Sequence, residues 1–283
     1  MKKIILSLAA LGAKILPTSV KQAIYKVKPL AGLIRRRLNR AIPTGLTQVR
    51  VAGGDLAGFS IVLDMQIEKD YWLGTYEPDL QAAVRELICP DAIAYDVGAN
   101  IGYVSLLLAK TAGEQGHVYA FEALPQNVER WRKNIELNGM EARLSLFAGA
   151  VTQATGPVRF LVHESVGMGK AVGSAGRDDQ YLSEVTVPGI SLDEFVYGQG
   201  HPPPQAVKMD IEGGEVLALP GMRRVLAEAR PLMLMELHGA ESARIAWETL
   251  TAAGYEMRWM RRGYPVVPSL EALDWKAYIV AKP

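Results

Sequence analysis

The sequence predicts a doubly wound α/β fold preceded by a basic helical extension. Three observations carry this. Residues 92–110, AIAYDVGANIGYVSLLLAK, read as strand, glycine turn and helix, the first unit of a nucleotide-cofactor fold. The alternation continues as βαβαβ through residue 151. Apolar runs then end near acids at Asp96, Glu122, Asp210 and Glu236, and open α/β sheets bind ligands where their strands end.

The N-terminal arm comes first. Residues 1–43 hold ten of the chain's 31 Lys and Arg and no acid, so the net charge of +1 hides an acidic body. KKIILSLAALGAKIL places Ile4, Leu8, Leu11 and Ile15 on one helical face. It resembles a signal-peptide core but is broken by Lys14 and lacks a small-x-small cleavage site. It is also far short of the roughly 20 apolar residues that span a bilayer. KPLAGLIRRRLNR adds four arginines among Leu and Ile. The arm reads either as a helix packed on the body or a partner subunit, or as a peripheral membrane contact drawn to anionic lipid. Without aromatics interleaved in the arginine run, nucleic acid is not expected.

Residues 44–91 read as an entry hairpin and a helix. LTQVRV and GFSIVLD flank Gly53, Gly54 and Asp55, a turn of the kind that joins antiparallel strands. In PDLQAAVRELICPD, Pro78 starts a helix whose apolar face is Leu80, Val84, Leu87 and Ile88. Tyr71, Trp72 and Tyr76 lie just before it; packing is the default for such a cluster, and with Glu77 it is also a candidate wall for cofactor or substrate. The single cysteine, Cys89, excludes an internal disulfide and a cysteine-based zinc site. It reads as a buried structural thiol in a reducing compartment, so the expected location is cytoplasmic, with the arm allowing contact with the inner face of the membrane.

Residues 92–283 form the expected catalytic domain, of a size that buries one large core at 49% hydrophobic content in the whole chain. In the glycine loop, Gly98 and Gly102 let the backbone approach a ligand, and free N–H groups at the helix start face it. A dinucleotide loop G-x-G-x-x-G presents a positive helix end to pyrophosphate. Here Asn100 takes the middle glycine's place and Asp96 adds a carboxylate, which suits a cofactor with cationic groups such as the ammonium and sulfonium of S-adenosylmethionine. Glu122, with Ala123 beside it, ends the second strand at the distance where an acid accepts hydrogen bonds from ribose hydroxyls.

PQNVERWRKNIELNG is the next amphipathic helix, from Pro125 to a cap at Gly139. ARLSLFAGAV is the third strand, and Gly149 and Ala150 at its end mark the adenine position. PVRFLV and EVTVPGISLDEF read as extended pieces around HESVGMGKAVGSAGRDDQYLS, a glycine-rich loop of a length that is usually functional. In AVKMDIEGGEVLALPGM a strand delivers Asp210, Glu212 and Glu215 to the sheet edge, with helix capping as the other reading for Glu215. RPLMLMELHG ends in Glu236 and His238, the latter a candidate base. SARIAWETLTAAGY is a helix, and YEMRWM and WKAYIVAKP pair as a terminal antiparallel hairpin. His117, His163 and His201 have no comparable setting.

The order and spacing of GTYEPDL, DVGANIGYVSLLLAK, VYAFEALPQNVERWRKNIELNG, SLDEF, VKMDIEGGEVLALPG and RPLMLMELHG resemble FkbM-type S-adenosylmethionine-dependent methyltransferases over about residues 71–240. The resemblance implies a seven-stranded Rossmann-like sheet with an antiparallel last strand, and O-methylation of a sugar, glycan or secondary-metabolite hydroxyl. It assigns Asp96, Gly98, Asn100 and Gly102 to the methionine part of the cofactor, Glu122 to the ribose, and Asp210, Glu212 and Glu215 to the reaction edge. His238, Asp210 or Glu212 could then serve as base; alternatively Asp210, Glu212 and Glu236 could hold a divalent ion such as Mg²⁺. Two other classes share the fold logic. An NAD-dependent oxidoreductase is disfavoured by Asp96 and Asn100, and a non-catalytic interaction module would lack activity that depends on Asp96.

Overall fold

The computed structural model describes residues 2–15, 44–164, 167–176 and 181–283, together with Val20, Gly32, Arg36 and Ile42. Its centre is a seven-stranded sheet in the order β12-β13-β11-β10-β3-β4-β5. The strands are β3 (Ile93–Val97), β4 (His117–Glu122), β5 (Leu144–Ala148), β10 (Ala206–Met209), β11 (Leu232–His238), β12 (Glu256–Trp259) and β13 (Lys276–Lys282). All pair in parallel from β5 across to β11; β13 then runs antiparallel to both β11 and β12. The terminal hairpin and the reversed last strand expected from the sequence are therefore present.

Side chains alternate across each strand, which sorts them onto two covered faces. Ala94, Val118, Ala120, Ala206 and Leu234 pack under helices α3 (Pro78–Leu87), α4 (Tyr103–Ala112) and α5 (Pro125–Glu136). Tyr95, Val97, Phe121, Val207, Met209, Met233 and Met235 pack on the opposite side with Phe195 and α7 (Ala240–Ala252), which follows the single-turn α6 (Glu215–Ala218). Sheets covered on both faces have strands that read as near-continuous apolar runs, as IAYDV and LMLMELH do apart from their charged members.

The entry hairpin pairs β1 (Leu46–Arg50) with β2 (Ser60–Asp64). Its strands are joined by nine residues rather than a tight turn. The glycines there serve packing: a Cβ on Gly53 would lie 2.5 Å from the Ala13 carbonyl oxygen of α1 (Lys2–Ile15), and one on Gly54 would strike the backbone of Gly74 after α2 (Lys69–Leu73). Leu56, Ile61 and Leu63 are fully buried in the same core as α3 and α4. Asn134 of α5 and Asn138 in the turn just after it accept hydrogen bonds from the backbone of β2 at Val62 and Ser60.

Three sequence expectations change. Cys89 is exposed, because α3 stops at Leu87 and Ile88 turns extended to send its own side chain inward. The segment DEF does not continue the preceding strand, which ends at Ile190; a helical turn spans Glu194–Gly198. The glycine-rich segment after residue 163 is not structureless. It contains β8 (Gly169–Ala171), which pairs with β7 (Gly156–His163), and β7 pairs with β9 (Tyr181–Ile190). With β6 (Ala150–Val151) these make a second, four-stranded sheet. Apart from Gly32 and Arg36, the arginine-rich segment of the arm lies outside the described residues. In α1, Leu11 and Ile15 are exposed while Ala13 is buried, and among the described residues no helix is long and apolar enough to cross a membrane.

Candidate functional site

The chain reverses direction in sheet order at β3: β4 and β5 lie to one side, β10 and β11 to the other. Clefts open at such switch points, beyond the carboxyl ends of the strands. Here the cleft measures about 680 Å³ counted to its open mouth. Its floor is Gly98 and Asn100 after β3, Glu122 and Ala123 at the end of β4, Gly149 and Ala150 after β5, and Asp210 and Glu212 after β10. The second sheet supplies a wall through Phe160, Gly167, Met168 and Ala171.

Glu122 is nearly buried, and each of its carboxylate oxygens already accepts a backbone hydrogen bond, from Asn100 N at 2.7 Å and Leu124 N at 2.8 Å. Burial pushes its pKa up, against the pull of these donors. Asn127 donates to Glu122 at 3.3 Å and to the Gly167 carbonyl at 3.0 Å. The side-chain oxygens of Asn100 and Asn127 are buried without a hydrogen-bond partner, and both lie within 4 Å of where a Cβ on Gly167 would sit. Buried acceptors are rarely left unpaired. Two of them beside Glu122 fit a ligand rich in donors, such as a ribose or an ammonium.

The glycines of the loop serve the protein before any ligand. A Cβ on Gly98 would lie 1.9 Å from the Asp210 carbonyl oxygen, and one on Gly102 would lie 2.9 Å from the Trp131 ring. Both have positive φ, the region where only glycine is unstrained. Gly102 does not line the cleft, and neither does Asp96. The Asp96 carboxylate is fully buried, accepts a 2.6 Å hydrogen bond from Ser105 Oγ and lies 3.3 Å from Lys208 Nζ. Its charge is met by Lys208, so no bare carboxylate faces the cleft from this position, contrary to the expectation from the loop sequence.

Lys208 is the residue the sequence reading passed over. It sits in register with Asp96 across the parallel pair β10–β3 and donates a 2.7 Å hydrogen bond to the Gly98 carbonyl. Burial would lower its pKa, but the charges of Asp96, Asp210 and Glu77 raise it above its ordinary value. A lysine inside the apolar run AVKM was the available signal, since Lys is almost never fully buried unless paired.

On the far side of Asp210 a smaller cavity is lined by Glu77, Lys208, Glu236 and Tyr278. Glu77 thus borders Asp210 without lining the main cleft. Burial, with Glu236 nearby, raises Glu77 to about 7. Asp210 is raised to about 8, by burial against the opposing charge of Lys208. Glu236 is held at about 2: burial would raise it, but hydrogen bonds from His238 and Lys276 prevail. Glu77, Asn100 and Glu212 all have positive φ, and non-glycine residues in that region cluster at functional sites.

His238 is 4% exposed at its side chain, with Nε2 2.9 Å from Glu236, 3.6 Å from Glu212 and 3.9 Å from Asp210. Burial alone would lower its pKa, but the carboxylates of Glu215, Glu236 and Asp210 raise it to about 10. These carboxylates favour the imidazolium over the neutral base and make His238 an electrostatic partner of the acids. Glu215 is fully buried, accepting from Ile211 N and Ser242 Oγ. It braces the 211–214 turn and does not reach the cleft. Tyr71 and Tyr76 meet at a tilt of 38° with ring centroids 4.3 Å apart and pack with Tyr103, a core role.

The three acids expected for a divalent ion are not the group brought together. Among the described residues, Asp210, Glu236 and His238 present ligand atoms within 4.8 Å of one another. The Lys276 ammonium closes on Glu236 and the charged His238 donates to the same oxygen. An ion there would have to displace both cations, so the residues fit a metal poorly.

The methyltransferase FkbM domain model matches residues 96–257, more than half of the chain. The chain belongs to the FkbM methyltransferase family. The hexuronic acid methyltransferase AglP of Haloferax volcanii is 26% identical over 184 residues, covering 62% of this chain and 69% of that protein. The FkbM methyltransferase structure from Methylobacillus flagellatus KT is 18% identical with a TM-score of 0.44, over 76% of this chain. This chain spans about half of that one, 52%. An O-methyltransferase of Bacillus cereus, solved with S-adenosylhomocysteine, is 14% identical with a TM-score of 0.44, over 73% of this chain and 81% of that one. The matched FkbM region begins at Asp96 and includes every acid described above except Glu77, together with Lys208 and His238.

Proposed function

We propose that this chain transfers the methyl group of S-adenosylmethionine to a hydroxyl oxygen of a sugar or glycan. The observation that carries the reading is one cleft, at the switch point of an FkbM-family sheet, whose floor is made by Asp210, Gly98, Glu122 and Gly149 at the ends of the adjacent strands β10, β3, β4 and β5. The hexuronic acid named for AglP supports a carbohydrate acceptor.

S-adenosylmethionine supplies, when bound, a sulfonium methyl that is electrophilic without further activation. Glu122 would accept from the ribose hydroxyls, with the free oxygens of Asn100 and Asn127 beside it. Gly149 and Ala150, which line the cleft, would face the adenine; a side chain on Gly149 is excluded by the protein itself, since its Cβ would meet the Pro188 carbonyl and Phe147. Asp210 would take the proton of the acceptor hydroxyl as its oxygen receives the methyl group and S-adenosylhomocysteine is left. A base with a pKa near the working pH is best placed for this, and Asp210 has the required elevation. Holding the acceptor oxygen in line with the methyl group, with water excluded, provides much of the remaining rate.

The protein should bind S-adenosylhomocysteine and not NAD in parallel calorimetric titrations. Turnover with a sugar acceptor should survive EDTA, because Lys276 and His238 already neutralise Glu236. NAD binding, or loss of turnover on chelation, would sink the respective part. In this reading residues 92–283 are the methyltransferase domain. Residues 1–43 are proposed as a peripheral contact to membrane or partner, which liposome flotation of full-length against truncated chain would test.

A further inference from the structure

Because β13 runs against the parallel strands, its entrance lies at the edge where their ends converge. Lys276, its first residue, is in register with His238, and Trp275 immediately precedes it. Gly239 N donates a 2.6 Å hydrogen bond to the Trp275 carbonyl, tying this entrance to the end of β11. The indole stands edge-on to His238, with ring centroids 6.5 Å apart and planes at 86°. A Cβ on Gly239 would lie 3.8 Å from Trp275 Nε1 and 3.4 Å from Gly176 N, so the indole borders the turn that follows β8. That turn is fastened to the acidic edge, since Ala175 N donates to the Gly213 carbonyl at 2.9 Å.

Trp275 is 47% exposed and is the one aromatic among the large apolar side chains exposed in the described residues. Single exposed aliphatic residues are ordinary. A half-exposed indole beside the reacting acids is not, because tryptophan offers a large rigid apolar face and a polar edge, the combination enriched where ligands are gripped. His238, which the indole meets edge-on, also has acceptors for hydroxyl groups around it: Glu212, 35% exposed at its side chain, at 3.6 Å and Asp210 at 3.9 Å. A pyranose ring has this complementary form, with a face of C–H bonds and a rim of hydroxyls.

We propose that Trp275 is the stacking platform for a pyranose ring of the acceptor, whose hydroxyls turn toward Glu212 and Asp210. This rests on the methyltransferase reading and adds the acceptor subsite to it. The test is saturation-transfer NMR of methyl β-glucopyranoside and methyl β-glucopyranosiduronate, each with full-length protein saturated with S-adenosylhomocysteine. Stacking puts the strongest saturation on the ring protons of one face, in at least one of the two probes. Trp275→Ala should weaken that signal about tenfold while S-adenosylhomocysteine affinity stays within about twofold, and Trp275→Phe should keep the facial pattern. An unchanged signal in Trp275→Ala, a signal without facial bias, or no signal from either probe overturns the platform while cofactor binding leaves the methyltransferase reading standing. Absence of S-adenosylhomocysteine binding by the wild type would instead overturn that reading.

Discussion

Lys208 and Asp96 face each other across the middle of the sheet, ammonium to carboxylate at 3.3 Å, the one 5% and the other 0% exposed at its side chain. The pair joins β10 to β3 at the level where the glycine loop begins, and the second bond from Lys208 holds the Gly98 carbonyl. It braces the floor of the cleft from below.

Removing one partner leaves the other charge buried. Lys208→Met should therefore destabilise the protein by about 3–5 kcal/mol, and Asp96→Asn in the same background should recover much of the loss. Urea unfolding of the two single variants and the double variant measures the coupling. Strict additivity of the two single effects would show that the pair does not act as a unit.

Asn134 is 1% exposed and satisfies two distant backbone groups at once, accepting from Val62 N at 2.6 Å and donating to the Ile101 carbonyl at 2.8 Å. One side chain thus links the entry hairpin to the glycine loop. Asn134→Ala leaves a buried donor and a buried acceptor unpaired, at about 1–3 kcal/mol each. Hydrogen exchange should rise first at Val62 and its neighbours in β2; uniform exchange across the sheet would argue against a local link.

Much of this architecture was legible because it is local. The glycine loop, the βαβαβ order, the acids at Glu122 and Asp210 and the terminal hairpin each occupy one continuous stretch. What was not legible depends on register between strands remote in sequence. Asp96, Lys208 and Leu234 share a row only because β3, β10 and β11 are aligned residue for residue, and no periodicity within AVKM reveals that Lys208 meets a carboxylate. The extended pieces that form β7 and β9 were legible, but not their pairing into another sheet, and β8 is three residues long within a glycine-rich segment, below the length at which alternation can be read. The charge on His238 was not legible, since it follows from carboxylates contributed just after β10, by β11 and at the start of α6.

Asp210 sets the expected pH dependence of the reaction. Its carboxyl is protonated below about 8, so kcat/KM should rise with pH and level off above that value. Asp210→Asn should abolish the rise and cost about 10²–10⁴-fold in kcat, the usual worth of a positioned base. A flat profile in the wild type, or an Asp210→Asn variant with intact turnover, would remove Asp210 from the role.

The same cluster predicts how stability depends on pH. His238 titrates at about 10 in the folded protein against 6.5 for a free imidazole, so between those values the native state holds a proton that the unfolded chain has released. Its contribution is fully present below 6.5 and is lost as pH climbs through 10, because stability falls with pH wherever the folded state binds more protons. Asp210, raised to about 8 from 3.8, acts with the same sign in a lower window. Melting temperature should consequently decline from pH 7 to pH 10, and His238→Gln should flatten the upper part of that decline while lowering stability at pH 7. A melting temperature that is constant or rises over this range would mean that His238 is not held as the imidazolium by Glu215, Glu236 and Asp210.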